Sequence, residues 1–241
     1  MTTWAVDRQQ FLDTGLTTVT LPDRCGPTFD AILNSLKDAY PDEDHEVDGV
    51  RYFTDRIMDV WQINEHVREL AVVPEVLDLL SYLFGRRPLP FQTLNFRHGT
   101  QQHLHSDALH NNSDPAGFLA SVWVALEDIT MDNGPVVYYP GSHRLAEISV
   151  GDVTQPRGPH SNDAIRSTLA AAGIVPHHGL IRRGQAMVWV GDLIHGGAPV
   201  LYPGATRHSQ ITHYFFEGCR YWVPKSSTAG NVIWRHPRWI A

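Results

Sequence analysis

Three side chains in the second half of the chain could together hold one divalent metal ion. His105 and Asp107 form the one His-x-Asp pair of the sequence, and they follow the strand-like run FQTLNF. Residues two apart on a strand point to the same face, so an imidazole and a carboxylate could meet one ion there. His195 lies in GDLIHGGAP, directly after the apolar run AMVWV. Two histidines and one carboxylate on one face of an octahedron leave three open positions, the arrangement of non-haem iron(II) oxygenases.

The His-x-Asp pair is too short to carry this hypothesis alone, because a chain of this composition contains about one such pair by chance. A second feature adds weight. Arg207 begins the later run RHSQITHYFF, and Ser209 follows it on the same face of a strand. An arginine fork in that position could grip a carboxylate in a bidentate manner, with the serine hydroxyl beside it.

The elements that would position these residues change character along the chain. The first third is predicted to be mainly helical, with apolar stripes over residues 29–40 and 74–84, the second bounded by Pro74 and Gly85. From about residue 91, short β-branched and aromatic runs alternate with glycine, proline and Asn-Gly, which is typical of a jelly roll or barrel. Asn133-Gly134, between two such runs, predicts a hairpin.

One long polar stretch, residues 144–184, interrupts the strands. Within it SNDAIRSTLAAAG, residues 161–173, predicts a short helix with Ser161 or Asn162 as its cap and Gly173 as its stop. Connections of this length often form lids or binding loops, so we expect the stretch to cover the mouth of the site and to select the substrate.

Composition limits the class of protein. The chain has 241 residues, of which 42% are hydrophobic and 19% charged, which suits one globular domain spanning 1–241. The net charge of −7 argues against nucleic-acid binding, which favours a basic patch. No run of about 18 apolar residues predicts a membrane span, and the first 20 residues lack the apolar core of a signal peptide. Two distant cysteines, Cys25 and Cys219, are expected as reduced thiols, so the expected location is the cytoplasm.

Four blocks of sequence, in a fixed order, resemble the phytanoyl-CoA dioxygenase-like (PhyH) family of 2-oxoglutarate oxygenases. They are HLHSD, VWVALEDITMDNGPVVYYPGSHR, GDLIHGG and TRHSQITHYF, and they extend over about residues 90–216. The resemblance implies a mainly β, cupin-like double-stranded β-helix (a jelly roll) over residues 91–220. Residues 1–90 would be mainly helical support, and one helical insertion would lie near 144–184.

The resemblance also implies roles for particular residues. His105, Asp107 and His195 match the ligands of Fe(II), with 2-oxoglutarate and O₂ as co-substrates. Arg207 matches the residue that holds the distal carboxylate of 2-oxoglutarate, with Ser209 nearby. The further positions that match the co-substrate pocket are Trp123, Gln92 and Leu94. Gly197 stands where some members have a serine, so a hydrogen bond from that position to the co-substrate is not implied. The default outcome is hydroxylation of a small metabolite, for example in natural-product biosynthesis.

Two alternatives stay open at this point. One is a cupin-type metal enzyme that does not use 2-oxoglutarate, against which Arg207 argues. The other is a non-catalytic relative that binds a ligand in the same barrel, against which the intact triad argues. His143 in PGSHR is interpreted as a structural residue of its turn. The sequence does not decide the roles of His103, His177 and His178, the substrate or the oligomeric state.

Overall fold

Antiparallel strands form the centre of the molecule, and four N-terminal helices cover one side. In the computed structural model, residues 5–41, 44–47, 50–53, 56–151, 153 and 161–241 are described, with the backbone alone for 44–47 and 50–53. The helices are α1 (Arg8–Thr14), α2 (Gly26–Leu36), α3 (Glu65–Ala71), α4 (Pro74–Phe84) and α5 (Asn162–Ala171). The strands are β1 (Leu16–Thr20), β2 (Asp44–Val47), β3 (Val50–Phe53), β4 (Arg56–Met58), β5 (Pro88–Phe96), β6 (Asn112–Asp114), β7 (Leu119–Ala125), β8 (Val136–Tyr138), β9 (His177–His178), β10 (Gln185–Val190), β11 (His195–Gly197), β12 (Ser209–Phe216), β13 (Arg220–Trp222) and β14 (Trp234–Arg235).

The main sheet has six strands in the order β1-β10-β7-β12-β5-β4, and every neighbouring pair is antiparallel. Two three-stranded sheets, β11-β8-β9 and β14-β13-β6, complete the β structure around the site, and β2 and β3 pair separately. The predicted double-stranded β-helix is therefore confirmed. The N-terminal third contributes more than helices, however, because β1 and β4 form the two edges of the main sheet.

Alternation along the central strands separates a structural face from a functional face. On β7 and β10, Val122, Val124 and Val188 point outward and are buried against the helices. Trp123 and Trp189 point inward and belong to a different apolar cluster. Because successive side chains of a strand point to opposite faces, the helices stabilise the sheet without filling the inner cavity.

Outward-facing polar residues of β12 bind the helices through hydrogen bonds. Gln210 donates through Nε2 to the carbonyl of Val67, and the hydroxyl of Tyr214 donates to the carbonyl of Ala71. Both carbonyls belong to α3, so these bonds satisfy buried polar groups and fix the helix on the sheet.

The helix predictions agree well with the structure where capping residues mark the ends. Helix α4 begins at Pro74 and ends before Gly85, which adopts the left-handed conformation with φ 69°. Helix α5 is capped by Ser161, whose hydroxyl accepts a hydrogen bond from the backbone N–H of Ala164. Among the described residues, no helix is long and apolar enough to span a membrane.

The hairpin prediction at Asn133-Gly134 is wrong. Strands β7 and β8, on either side of it, lie in different sheets and do not pair with each other. Gly134 does adopt a positive φ of 75°, but a side chain there would approach Val200 to 2.9 Å. The turn therefore carries the chain from one sheet to the next instead of folding it back on itself.

Candidate metal centre

A pair of backbone hydrogen bonds brings the two distant histidines together. The N–H of His105 donates to the carbonyl of His195 at 2.9 Å, and the N–H of His195 donates to the carbonyl of His105 at 3.0 Å. This isolated antiparallel bridge leaves the two ring centroids 4.4 Å apart. The fold thus places at one mouth two histidines that are far apart in the sequence.

Asp107 lies beside the two histidines, but in a secondary structure that the sequence did not predict. It was expected on a strand with His105, but it is the first residue of a 3-10 turn, Asp107–Leu109. Ser106 remains extended, with φ −112° and ψ 145°, so the side chains of His105 and Asp107 still point to the same side. The expected face is correct, although the expected secondary structure is wrong.

The three side chains offer one ligand atom each within a small space. Asp107 Oδ1 lies 3.9 Å from His105 Nε2 and 3.6 Å from His195 Nε2. The three ligand atoms all lie within 4.8 Å of one another, and no other group of this kind occurs among the residues that the structure describes. Two imidazole nitrogens and one carboxylate oxygen suit Fe(II) and leave further positions open, so the residues present fit that metal.

Backbone carbonyls fix which ring nitrogen of each histidine faces the metal. Nδ1 of His105 donates to the carbonyl of His103 at 2.8 Å, and Nδ1 of His195 donates to that of Leu193 at 3.1 Å. A carbonyl only accepts, so Nδ1 carries the proton and the lone pair of Nε2 points inward. The undecided role of His103 is answered in part, because its carbonyl orients a ligand while its imidazole is exposed.

The second carboxylate oxygen of Asp107 is occupied by protein groups. Ser121 donates to Oδ2 at 2.6 Å, Trp189 Nε1 donates to it at 3.0 Å, and His213 Nε2 lies 3.6 Å away. These contacts leave Oδ1 for the metal and hold the carboxylate plane in place. No role for any of the three follows from the sequence alone. Two of them could have been suspected from the sequence. Ser121 is a polar residue in an apolar strand, and the alternation of β12 puts His213 on the same face as Arg207.

The surroundings of His105 and Asp107 favour the protonation states that metal binding needs. Burial, followed by repulsion from His195, lowers the pKa of His105 to about 3. Burial opposes ionisation of Asp107, but attraction from His195, followed by a hydrogen bond and attraction from His213, outweighs it and holds the pKa of the carboxyl well below its usual range. Neutral imidazole and ionised carboxylate are the ligand forms that bind a metal without first releasing a proton.

A cavity of about 360 Å³ opens in front of the triad, and four of the five predicted co-substrate residues line it. These four are Arg207, Trp123, Gln92 and Leu94. Arg207 is 3% exposed, and its guanidinium carbon lies 5.1 Å from the ring centroid of Trp123. Ser209 is fully buried outside this lining, with its hydroxyl 3.5 Å from the carbonyl of Arg207 that accepts its hydrogen bond. The Ser209 hydroxyl therefore binds the backbone next to Arg207 and does not line the cavity.

The long polar segment 144–184 does not behave as the expected lid in the part that can be described. Residues 152 and 154–160 lie outside the described residues. In the rest, α5 packs through Ile165 and Leu169 against Leu104 and Ile194, beside the metal ligands but on their outer flank. No described residue of the segment lines the cavity, and the described lining residues belong to other elements.

His143, His177 and His178 lie away from the site. Nε2 of His143 donates to the carbonyl of Leu12 at 3.1 Å, which agrees with a structural role in its turn. His177 and His178 are exposed on β9 and do not line the cavity, and the His177 ring lies 5.7 Å from that of Tyr138.

Removing the indole contact to Asp107 is expected to weaken metal binding while the fold persists. In Trp189→Phe the aromatic packing is largely kept, but Oδ2 loses a donor, so the carboxylate can rotate. Loss of a group that orients a ligand costs about 10–100-fold in metal affinity. Titration of the apo protein with Fe(II) or Co(II) checks this. Trp222→Phe, at a buried indole on β13 that donates to the carbonyl of Ser113, is the matched control. Equal affinities for the Trp189 and Trp222 variants would contradict this role of the indole.

Gly197, where some family members have a serine, is required by close backbone packing. A Cβ there would lie 2.6 Å from the backbone nitrogen of Gln101, closer than real Cβ atoms come. The loop cannot move away easily, because the N–H of Gly197 donates to the carbonyl of Gln102 and Gln101 already has a positive φ of 50°.

Gly197→Ala is therefore expected to destabilise the protein by about 1–3 kcal/mol, the usual cost of forcing extra atoms into a packed region. Thermal unfolding measures it. Gly230→Ala, at a position with open space around it, should unfold within a degree or two of the wild type. Similar melting temperatures for all three proteins would show that the loop can adjust.

The double-stranded β-helix, with two histidines and an aspartate that could hold a metal at one cavity, is typical of a class of metal-dependent proteins. Residues 19–209 match the sequence family described as phytanoyl-CoA dioxygenase (PhyH), and the chain belongs to this family. Membership confirms the class predicted from the sequence, non-haem enzymes that use iron and 2-oxoglutarate on small-molecule metabolites.

Solved structures support the fold. The carbocyclase SnoK, described as non-heme and alpha-ketoglutarate dependent and from nogalamycin biosynthesis, has a TM-score of 0.70 at 17% identity, covering 89% of this chain and 84% of its own. The epimerase SnoN from the same biosynthesis has a TM-score of 0.69 at 18% identity, covering 89% and 83%. EctD from S. alaskensis has a TM-score of 0.69 at 18% identity, covering 97% and 84%. No curated protein sequence matches the chain.

Proposed function

We propose that this protein hydroxylates a small metabolite, with iron(II) held by His105, Asp107 and His195 and 2-oxoglutarate held by Arg207. The observation that carries this is the presence of the triad and the buried Arg207 in one cavity. A metal triad alone would suit many cupin-like enzymes. A buried guanidinium in the same cavity adds a site for a dicarboxylate, which argues against an enzyme that works without 2-oxoglutarate.

Iron(II) held by His105, Asp107 and His195 would supply oxygen activation coupled to the oxidative decarboxylation of 2-oxoglutarate to succinate and carbon dioxide. The protein supplies the geometry. Arg207 binds the distal carboxylate in a bidentate manner, and its own position is fixed by donation from Nη2 to the carbonyl of His98 at 3.2 Å. Trp123 and Phe96 lie beside the guanidinium, with ring centroids 5.1 and 5.7 Å from its carbon. These rings exclude water from the pair and strengthen it.

The size of the cavity favours a small substrate. Ligand pockets commonly measure ~300–1,000 Å³, and the volume here, about 360 Å³, lies near the lower end. 2-Oxoglutarate must share this space, so the substrate either is small or extends out of the mouth.

Substrate-dependent release of succinate tests the proposal. The protein is supplied with iron(II), ascorbate and 2-oxoglutarate and screened against small metabolites, and the products are analysed by mass spectrometry. A product heavier by one oxygen atom is expected. A product of unchanged mass would indicate epimerisation, the reaction for which SnoN is named. A product lighter by two hydrogen atoms would indicate ring closure, the reaction for which SnoK is named. Turnover without 2-oxoglutarate would favour the cupin-type alternative, and failure to bind iron would favour a non-catalytic relative.

A further inference from the structure

The cavity has a second polar end, opposite the co-substrate arginine. Arg207 and His213 are six residues apart along one extended strand, which separates their Cα atoms by about 20 Å. His213 lies beside Asp107, and its ring centroid is 6.2 Å from that of Phe91. The guanidinium carbon of Arg235 lies over the same Phe91 ring, 5.0 Å from its centroid. Arg235 therefore lies past the metal ligands, at the end remote from Arg207, and it lines the cavity.

The fold brings Arg235 to this position from the C-terminal end of the described chain. Strand β14 pairs with β13, with Arg235 opposite Tyr221. Strand β13 pairs in turn with β6, which follows the 3-10 turn of Asp107. The small sheet thus places the guanidinium of Arg235 at the wall of the cavity.

Besides Arg207, two arginines line the cavity, Arg56 and Arg235. Arg56 on β4 also lines the cavity, and it lies close enough to His110 for its charge to lower the pKa of that imidazole, as does Lys225, while burial of His110 is the larger cause. Among the described residues, Asp107 is the single acidic side chain that lines the cavity, and it is a candidate ligand of the metal. A ligand held at Arg235 therefore meets no competing carboxylate among the described lining residues, while Arg56, opposite Phe96 on β5, reaches the cavity from nearer Arg207.

Arg235 has a neutral partner where a half-buried cation usually has an acidic one. Its Nη1 donates to Oδ1 of Asn111, and no carboxylate of the described residues lies within 4 Å of it. Asp59 acts on it only from a distance, and its Oδ1 already accepts from Trp61 Nε1 and from the backbone N–H of Thr93. Partly desolvating a guanidinium without a counter-ion costs free energy, and an anionic ligand would recover it through a charge-assisted hydrogen bond.

We propose that the substrate is a small organic acid whose carboxylate binds Arg235, with Arg56 adding attraction at the rim. This rests on the proposed function, because it assigns the end near Arg207 to 2-oxoglutarate. One carboxylate would then be fixed at each end of the cavity, and the metal would lie between them. Anchoring the substrate by its acid group directs its other end towards the metal and selects which C–H bond is oxidised.

The test compares matched pairs of compounds. The protein, loaded with iron(II) and saturated with 2-oxoglutarate in the absence of oxygen, is titrated calorimetrically with small carboxylic acids and with the corresponding primary amides. We expect at least one acid to bind about tenfold or more tightly than its amide, and Arg235→Met to remove that preference, the effect of losing one charge-assisted contact. Arg235→Lys should recover part of it, since an ammonium keeps the charge but not the fork.

Arg220→Met is the matched control. Arg220 lies on β13 in the same small sheet, packs over Trp234 and pairs with Asp114, but it does not line the cavity, so its variant should keep the preference for acids. Circular dichroism checks that each variant folds. If no acid binds more tightly than its amide, or if the preference survives in Arg235→Met, the inference is wrong. Binding of 2-oxoglutarate is measured separately, and its absence would overturn the proposed function itself.

Discussion

His195→Ala is expected to abolish turnover while the protein stays folded. The substitution removes one of three ligands that converge on a single point. Disturbing a residue that merely supports a ligand costs about 10–100-fold in metal affinity, so loss of the ligand itself should reduce turnover by a factor on the order of 10³ or more. The side chain lies at the cavity, 7% exposed, and its backbone bonds to His105 do not depend on the imidazole. The measurements are iron stoichiometry, succinate release and circular dichroism.

His103→Ala is the control for this variant. His103 lies two residues before His105, its imidazole does not line the cavity, and its contribution to the site comes from the backbone carbonyl, which alanine keeps. Near wild-type activity is expected from it. An active His195→Ala protein that still bound one iron would show that the metal is held elsewhere.

The sequence pointed to His105, Asp107 and His195, which the fold brings together, because each of the three has a local marker. His105 and Asp107 form a short motif after a strand, and His195 follows an apolar run before two glycines. What it could not show is how these points are held together. The bridge between His105 and His195 joins residues far apart in the chain, and only the folded sheets reveal it.

Residues that orient Asp107 were missed for a related reason. In the sequence, Trp189 looks like an ordinary core aromatic in an apolar strand. The alternation of the strand predicts that its side chain points into the barrel, but it does not predict which group the indole N–H binds. Its role depends on one hydrogen bond, from Nε1 to Oδ2 of Asp107. A pattern of residue types predicts faces and cores, whereas hydrogen bonds between distant strands follow from three-dimensional packing.

The walls of the cavity were predicted least well. The segment 144–184 was expected to cover the mouth because it is long and polar. In its described part it packs on the flank, while the walls include Arg56 from an edge strand and Arg235 from near the end of the chain. Neither arginine lies in a recognisable motif, and both reach the cavity through strand pairing of β4 with β5 and of β14 with β13.

Arg207→Met is expected to raise the KM for 2-oxoglutarate sharply and to leave iron affinity nearly unchanged. Methionine keeps much of the apolar packing against Trp123 and Phe96 but cannot bind a carboxylate. Truncating one partner of a buried, charge-assisted pair costs about 2–5 kcal/mol, and Arg207 is 3% exposed, so little solvent screening reduces that figure. Arg207→Lys should restore the affinity only in part, because an ammonium lacks the planar fork.

Calorimetric titration of 2-oxoglutarate in the absence of oxygen separates this effect from a loss of metal. Arg97→Met is the control, because Arg97 lies on the neighbouring loop, its carbonyl accepts from the backbone N–H of Arg207, and its side chain does not line the cavity. Its affinity for 2-oxoglutarate should stay near that of the wild type. Arg207 contacts Trp123, Phe96 and His98, which are not metal ligands, so we expect iron and 2-oxoglutarate to respond separately to its substitution. A drop in iron affinity equal to the drop in 2-oxoglutarate affinity would therefore mean that Arg207 supports the metal centre and is not a carboxylate anchor.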